Sequence, residues 1–265
     1  MKKYLLIALL IASGSLTTEA QTSKFDLNDD GKLDVTDITV LVDAIMSGVG
    51  EAPSNVEAVD LGLPSGTLWA NMNVGATSTT DDGLYFAYGE TTGYTSNTSD
   101  GHVFNWANYK YCNGTNNSIW KYCTTSKCGA VDDKTTLEPK DDAAHENWGD
   151  GWRIPTKVEM QELIDNTQKY FYSKNGVRIL QLTSKKNGNS NRIELPFSGR
   201  RYDSKITGQG TDARYWTSTV RLTPDGNTEA YTLWASYSPN KVYDVESSGG
   251  NRCYGYPIRA VRDKK

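Results

Sequence analysis

Apolar and polar residues alternate along most of the second half of the chain. Tyr231, Leu233 and Ala235 fall on every second position, which is typical of a strand with one buried and one wet face. A turn-forming KNGN stretch at 186–189 separates two such runs. The pattern predicts strands at 177–183, 192–197, 215–221, 229–237, 241–246 and 258–262.

Helical spacing replaces this alternation in two segments. Thr156 and Glu159 form a capping box, in which each side chain satisfies a free backbone donor at the start of a helix. The predicted buried stripe of this helix is Met160, Leu163, Ile164 and Thr167. The other helical repeat is Ile38, Leu41, Val42 and Ile45, and it ends at Gly48.

The sequence pattern also predicts strands before residue 90, at 56–62 and 67–76 around a turn at 63–66, and at 84–88. One or two helices followed by a run of antiparallel strands favour an α+β fold. A polar insertion, 90–150, separates the predicted strand at 84–88 from the helix that begins at Thr156. It is too long for a structureless loop in a compact domain. We expect short helical turns, disulfides or bound ions inside it.

Five acidic residues in the insertion raise the question of a cation site. They are Asp132, Asp133, Glu138, Asp141 and Asp142. Their spacing fits no standard loop, so a solvated acidic surface is the favoured interpretation.

The chain has 265 residues and a formal net charge of -4. It has no basic stripe, which argues against a nucleic acid partner. Residues 1–20 combine two lysines, an apolar run at 4–12 and a small-residue end, as a secretory signal peptide does. The apolar run is too short to span a bilayer. We therefore expect an exported protein, secreted or at the cell surface, without a membrane span.

An acidic stretch, DLNDDGKLDVTD, follows the proposed signal peptide. Its oxygen-bearing side chains occupy the first, third, fifth, ninth and twelfth places of a calcium loop, and Gly31 stands at the sixth, where the chain must turn. The seventh residue would offer its backbone carbonyl. The predicted calcium ligands are Asp26, Asn28, Asp30, Lys32, Asp34 and Asp37. With its short last ligand and a single following helix, the segment 25–48 resembles one dockerin repeat. Dockerins carry two repeats, so a cohesin-like partner is doubtful.

The four cysteines are Cys112, Cys123, Cys128 and Cys253. They lack the spacing of a zinc site, and an exported protein can form disulfides. We expect one or two disulfides, with free thiols as the alternative. Four cysteines allow three complete pairings, and the sequence does not choose among them.

The aromatic residues divide into two groups. Four tryptophans in or beside predicted strands and the helix are expected in the core: Trp69, Trp152, Trp216 and Trp234. Four aromatics of the insertion are the better candidates for a contact surface: Tyr94, Trp106, Tyr109 and Trp120. No residue stands out as catalytic, and we expect His145 to have a structural role.

Six segments of 56–263, in order, resemble the Fibrobacter succinogenes major paralogous domain. They are VDLGLPSGTLWANMNVGA, LYFAYGE, KDDAAHENWGDGWRIPTKVEMQELI, LTSKKNGNS, YWTSTV and YPIRAVRD. The resemblance implies an α+β domain related to the C-type-lectin-like fold, with paired ends and a variable loop surface. The family has no established reaction.

Taken together, the sequence predicts a signal peptide, the calcium segment, a linker at 49–55 and one main domain. The favoured function is non-catalytic recognition of a glycan or a surface protein. The alternatives are a polysaccharide-acting enzyme or complex component recruited through the dockerin-like segment, and a structural surface component.

Overall fold

The computed structural model describes residues 50–149, 151–223, 226 and 228–264. The proposed export signal and the calcium segment with its ligands therefore lie outside the described residues. The first sheet contains β1 (Ala58–Val59), β2 (Leu68–Ala70) and β12 (Val261–Arg262), all antiparallel. The predicted turn joins β1 and β2, with the Gly66 amide donating to the Leu63 carbonyl at 3.0 Å. These strands are shorter than predicted, and the 84–88 segment forms only isolated bridges.

Two helices follow the insertion. The short helix α1 is Ala143–Trp148, and α2 is Lys157–Asp165. The capping box is confirmed, because the side chains of Thr156 and Glu159 each accept from the backbone of the other. The buried stripe is also confirmed, but Thr167 belongs to the next strand rather than to the helix. Its hydroxyl still donates to the Leu163 carbonyl at 2.6 Å.

A meander follows α2 directly, in the order β3 (Thr167–Lys174), β4 (Val177–Ser184) and β5 (Arg192–Pro196). The sequence pattern predicted β4 and β5 but not β3. Asn175 and Gly176 form the tight turn between β3 and β4, and both have positive φ, 51° and 82°. An Asn-Gly pair suits such a two-residue hairpin turn.

The remaining strands form a hairpin and a larger sheet. The hairpin is β6 (Arg200–Tyr202) with β7 (Lys205–Thr207). The sheet contains β8 (Asp212–Arg221), β9 (Glu229–Ser236), β10 (Lys241–Tyr243) and β11 (Gly249–Asn251). β9 pairs with β8 and with both β10 and β11, always antiparallel. The predicted strand at 241–246 ends early, because Val245–Ser247 is a 3-10 turn.

The apolar core has two clusters. One lies around Tyr85, Phe86 and Trp216, and includes much of the insertion. The other packs α2 against β4, β5, β8 and β9. Trp69 and Trp152 are buried as expected, whereas Trp234 is half-buried and stacks on Tyr243 with ring centroids 3.9 Å apart.

Antiparallel sheets thus dominate the described residues, and α1 and α2 are the α-helices among them, in agreement with an α+β or mostly-β fold. Within those same ranges, none of the helices has both the length and the apolarity that crossing a membrane requires.

Candidate functional site

The insertion has little regular structure, and its path is fixed by local cross-links. A disulfide joins Cys123 to Cys128, which confirms one disulfide, while Cys112 and Cys253 are buried thiols. Backbone hydrogen bonds link residue 119 to 128 and 130, at 2.7 and 2.8 Å. Gly129 lies between them, and a Cβ there would come within 2.2 Å of the Ile119 carbonyl oxygen. Only glycine therefore allows this close approach.

Asp132 is one of the five acidic residues of the insertion named above as a possible cation site. Its carboxylate accepts from the backbone amides of Tyr122 and Cys123, at 2.9 and 2.8 Å. The side chain therefore holds the disulfide segment in place. Rigidly held loops are good positions for binding residues, because less entropy is lost when a ligand binds.

Three of the four predicted contact residues lie in one row of edge-to-face aromatic rings. Trp106 contacts Tyr109 with ring centroids 5.6 Å apart, Tyr109 contacts Tyr111 at 5.9 Å, and Tyr111 contacts Trp120 at 5.2 Å. The ends of the row reach the surface, since Trp106 is half-buried and Trp120 is 44% exposed. We call Trp106, Trp120 and the Lys110 side chain between them in sequence the insertion surface.

Tyr109 corrects the sequence prediction, because it is buried and belongs to the core. Its hydroxyl donates to the Tyr88 carbonyl at 2.7 Å and accepts from Arg252 Nε at 3.1 Å. The Arg252 guanidinium is also buried, and it lies against the rings of Tyr88, Tyr109 and Tyr122. Tyr109 thus supports the insertion surface and does not form part of it.

Tyr94 contacts other rings than those of this row. It is half-buried and stacks on His102, with centroids 3.6 Å apart, and it also meets Phe104. Arg201 lies over both Tyr94 and Phe104 and pairs with Asp100 through two hydrogen bonds, at 2.6 and 3.0 Å. The hydrogen bond from Arg201 is the main reason that the pKa of Asp100 falls to about 2.

Below the insertion surface lies a polar cluster around Asp141. Its carboxylate accepts from the hydroxyls of Tyr111 and Tyr122, at 2.5 and 2.6 Å, and from Lys121. Lys121 also pairs with Glu138 at 2.6 Å. Desolvation acts to raise the pKa of Asp141, but the hydrogen bonds from these donors outweigh it and lower that pKa.

A lysine ammonium thus occupies the position that a second cation would need. In the described part of the chain, no three His, Cys, Asp or Glu side chains are grouped so that they could hold a metal ion. The expected solvated acidic surface is wrong for Asp141 and Asp142, which are buried and accept hydrogen bonds from protein donors.

Asp142 and His145 line a groove of about 340 Å³ beside Trp152. Burial raises the pKa of Asp142 to about 6. Both of its oxygens nevertheless accept backbone hydrogen bonds, from Ala144 and His145 at the start of α1 and from Ile154 at 2.8 Å. The carboxylate therefore ties α1 to the segment that leads into α2.

The sequence pattern did not identify the residues that support the surface, above all Lys121, Tyr111 and Arg252. Their partners come from distant parts of the chain, and no local pattern marks them. It also missed the outer face of the meander, although the YFY triplet of β3 and the Asn-Gly turn were visible signals. No family model, no curated protein and no solved structure matches the chain.

Proposed function

We propose that the chain is an exported, non-catalytic recognition protein that contacts a glycan or a surface protein through its insertion surface. The exposed Trp120 carries this proposal. Leaving an indole 44% exposed forgoes much of the free energy that its burial would provide. Tryptophan is also enriched among the residues that dominate binding interfaces.

The surroundings of Trp120 support the same function. Its ring packs edge to face on buried Tyr111, whose hydroxyl is fixed by Asp141. The indole is therefore presented by a rigid base and not by a loose loop. A rigid aromatic ring can stack on a sugar or fill a protein pocket at low entropic cost.

We also propose that the N-terminal segment binds one calcium ion through the six predicted positions from Asp26 to Asp37. The support is the sequence spacing, since these residues lie outside the described ranges. The relation to the Fibrobacter succinogenes major paralogous domain, and to the C-type-lectin-like fold, is likewise a proposal. The pairing of β12 with β2 supports it, because it brings the ends of the domain together.

The insertion surface is tested by presenting the labelled full chain to a glycan array and to immobilised cell-surface proteins. We expect a retained ligand, and Trp120→Ala should weaken its binding about tenfold, which corresponds to about 1.4 kcal/mol. Trp106→Ala should weaken it to a smaller extent, because Trp106 is less exposed.

Val158→Ala is the matched control, since Val158 is an exposed apolar residue on α2, outside the insertion. It should bind like the wild type. If no ligand is retained at high protein concentration, the structural role is favoured instead. Equal loss in the Val158 and Trp120 variants would also contradict the proposal.

Calcium binding is tested by calorimetric titration of the full chain. We expect a single binding event that disappears in the Asp26→Ala, Asp30→Ala double variant, because two of the predicted carboxylate ligands are removed. A wild-type titration without heat of binding, confirmed by equilibrium dialysis, would refute the calcium loop.

A further inference from the structure

The meander β3–β4–β5 has one face in the core and one face in solvent. The inward residues include Leu180, Leu182 and Leu195, which are buried against α2 and the large sheet. The strand register places the outward residues in two rows across the three strands. One row is Tyr170, Gln181 and Glu194, and the other is Gln168, Thr183 and Arg192.

Tyr172, on the same outward face, lies flat on the sheet. Its hydroxyl donates to Glu194 on β5 at 2.5 Å, although Tyr172 is on β3 and β4 lies between them. Neighbouring strands are about 4.8 Å apart, so a tyrosine can reach this partner only by lying across the middle strand. Its cross-strand neighbour Ile179 is fully buried, as expected beneath a ring.

Tyr170 extends this aromatic surface. Its ring lies within 30° of parallel to that of Tyr172, with centroids 5.7 Å apart, and the residue is 61% exposed. We call the two rings the tyrosine platform.

The platform is held in one conformation by Glu194. This carboxylate accepts from Tyr172, from Lys174 at 2.9 Å and from Thr79 at 2.8 Å. Desolvation opposes the ionised form of Glu194, but these hydrogen bonds prevail and lower its pKa. An ionised Glu194 in turn keeps the Tyr172 ring down on the sheet.

A polar groove of about 280 Å³ adjoins Glu194. Its polar lining is Glu57, Asn71, Thr79, Lys174, Arg192 and Glu194. Within the described residues, the exposed guanidinium of Arg192 has neither an ion-pair partner nor a side-chain hydrogen bond. The groove therefore holds donors and acceptors that remain available to a ligand.

The chemistry of this face favours a sugar over a protein. The centre of a protein interface is usually apolar and poor in charge. Here the exposed groups are tyrosine rings, amides, a hydroxyl and charged groups, and Tyr170 is the one exposed large hydrophobic residue of the meander. A pyranose offers an apolar face to a ring and hydroxyls to amide, carboxylate and guanidinium groups.

We propose that the tyrosine platform and the adjoining groove bind a polysaccharide chain. One sugar ring stacks on Tyr170 and Tyr172, and hydroxyls of the chain bond to Gln181, Glu194 and Arg192. This site uses residues outside the insertion surface. It depends on the proposed function in one respect, the export that brings the chain to polysaccharides outside the cell.

The test is affinity electrophoresis of the full chain through native gels that contain hydroxyethylcellulose, xylan or pectin. At least one polymer should retard the wild type. Tyr170→Ala should weaken that retardation about tenfold, since the stacking contact is lost. Tyr170→Phe keeps the ring and should retain binding. Tyr202→Ala, which removes an exposed tyrosine elsewhere, should also bind normally.

Retardation by none of the three polymers would overturn the inference. So would equal loss in the Tyr170→Ala and Tyr202→Ala variants when their melting temperatures match the wild type. Trp120→Ala separates the two proposals. If it abolishes retardation and Tyr170→Ala does not, the insertion surface is the sugar site and the platform is not. The reverse result leaves the platform as the site and the insertion surface without this role.

Discussion

Gly129 is a residue whose absence of a side chain determines the path of a whole segment. Gly129→Ala should lower the free energy of unfolding by about 3 kcal/mol, because the new methyl group meets a backbone oxygen that cannot move freely. Gly114→Ala is the matched control. Gly114 also has positive φ, but a Cβ there has no atom within 4 Å.

Urea unfolding of both variants measures the difference. If the two substitutions cost the same, backbone strain alone explains the effect, and the close approach of Gly129 to Ile119 has no energetic role.

Asp142 predicts a pH dependence of stability. Its pKa is raised to about 6 in the fold and is near 3.9 in an unfolded chain. The stabilisation that protonated Asp142 contributes is therefore fully present below about pH 4. It is lost as the pH rises through about 6, and the free energy of unfolding falls by about 3 kcal/mol in total. Asp142→Asn should therefore reduce the slope of the free energy of unfolding against pH, measured between pH 4 and 7.

The change of stability with pH has the opposite sign for Asp100, because Arg201 lowers the pKa of its carboxyl to about 2. Its contribution is present above about pH 4 and is lost as the pH falls through about 2. Asp100→Asn should therefore leave the slope between pH 4 and 7 unchanged. A slope that persists in Asp142→Asn would show that other groups cause it.

Single residues also show that the burial of a loop side chain is not predicted by the sequence pattern. Trp120 and Tyr109 both lie in the polar insertion and were given the same role. One is exposed and the other is buried, because Tyr109 meets Arg252, which is far away in the sequence. Burial in a loop depends on such long-range partners, and neither composition nor spacing contains them.

Among the elements, α2 was the easiest to predict, since a capping box is a local signal. Thr156→Ala should destabilise the protein by about 1 kcal/mol, because a helix-start amide loses its acceptor. Thr156→Ser keeps the hydroxyl and should lose much less. Thermal unfolding of the pair measures this, and equal melting temperatures for the two variants would contradict a capping role.

The sequence pattern did not predict β3, and the reason lies in the residues where the strand begins. It starts at Thr167, two residues after the last residue of α2, without an intervening glycine or proline. Thr167 fits the helical stripe and the strand equally well. The pairing of β3 with β4 over eight residues decides the outcome, and pairing is a tertiary property.

At the scale of the whole molecule, Arg252 fastens the insertion to the rest of the fold. It donates to the carbonyls of Lys121 and Tyr122, at 2.8 and 3.0 Å, from a position next to β11. Arg252→Met should leave these carbonyls without their donor and loosen the insertion. Hydrogen exchange should become faster at 106–133 and stay slow in β8 and β9.

Arg262→Met is the control, because Arg262 packs on Trp152 away from the carbonyls of Lys121 and Tyr122. Uniform acceleration across the domain in Arg252→Met would mean that the insertion and the sheets unfold as one unit.

The closure of the first sheet by β12 has a consequence for biosynthesis. β2 is synthesised long before its partner β12, so this sheet cannot be completed until β12 has been made. Until then the first sheet stays open on one side, because β2 has only β1 to pair with.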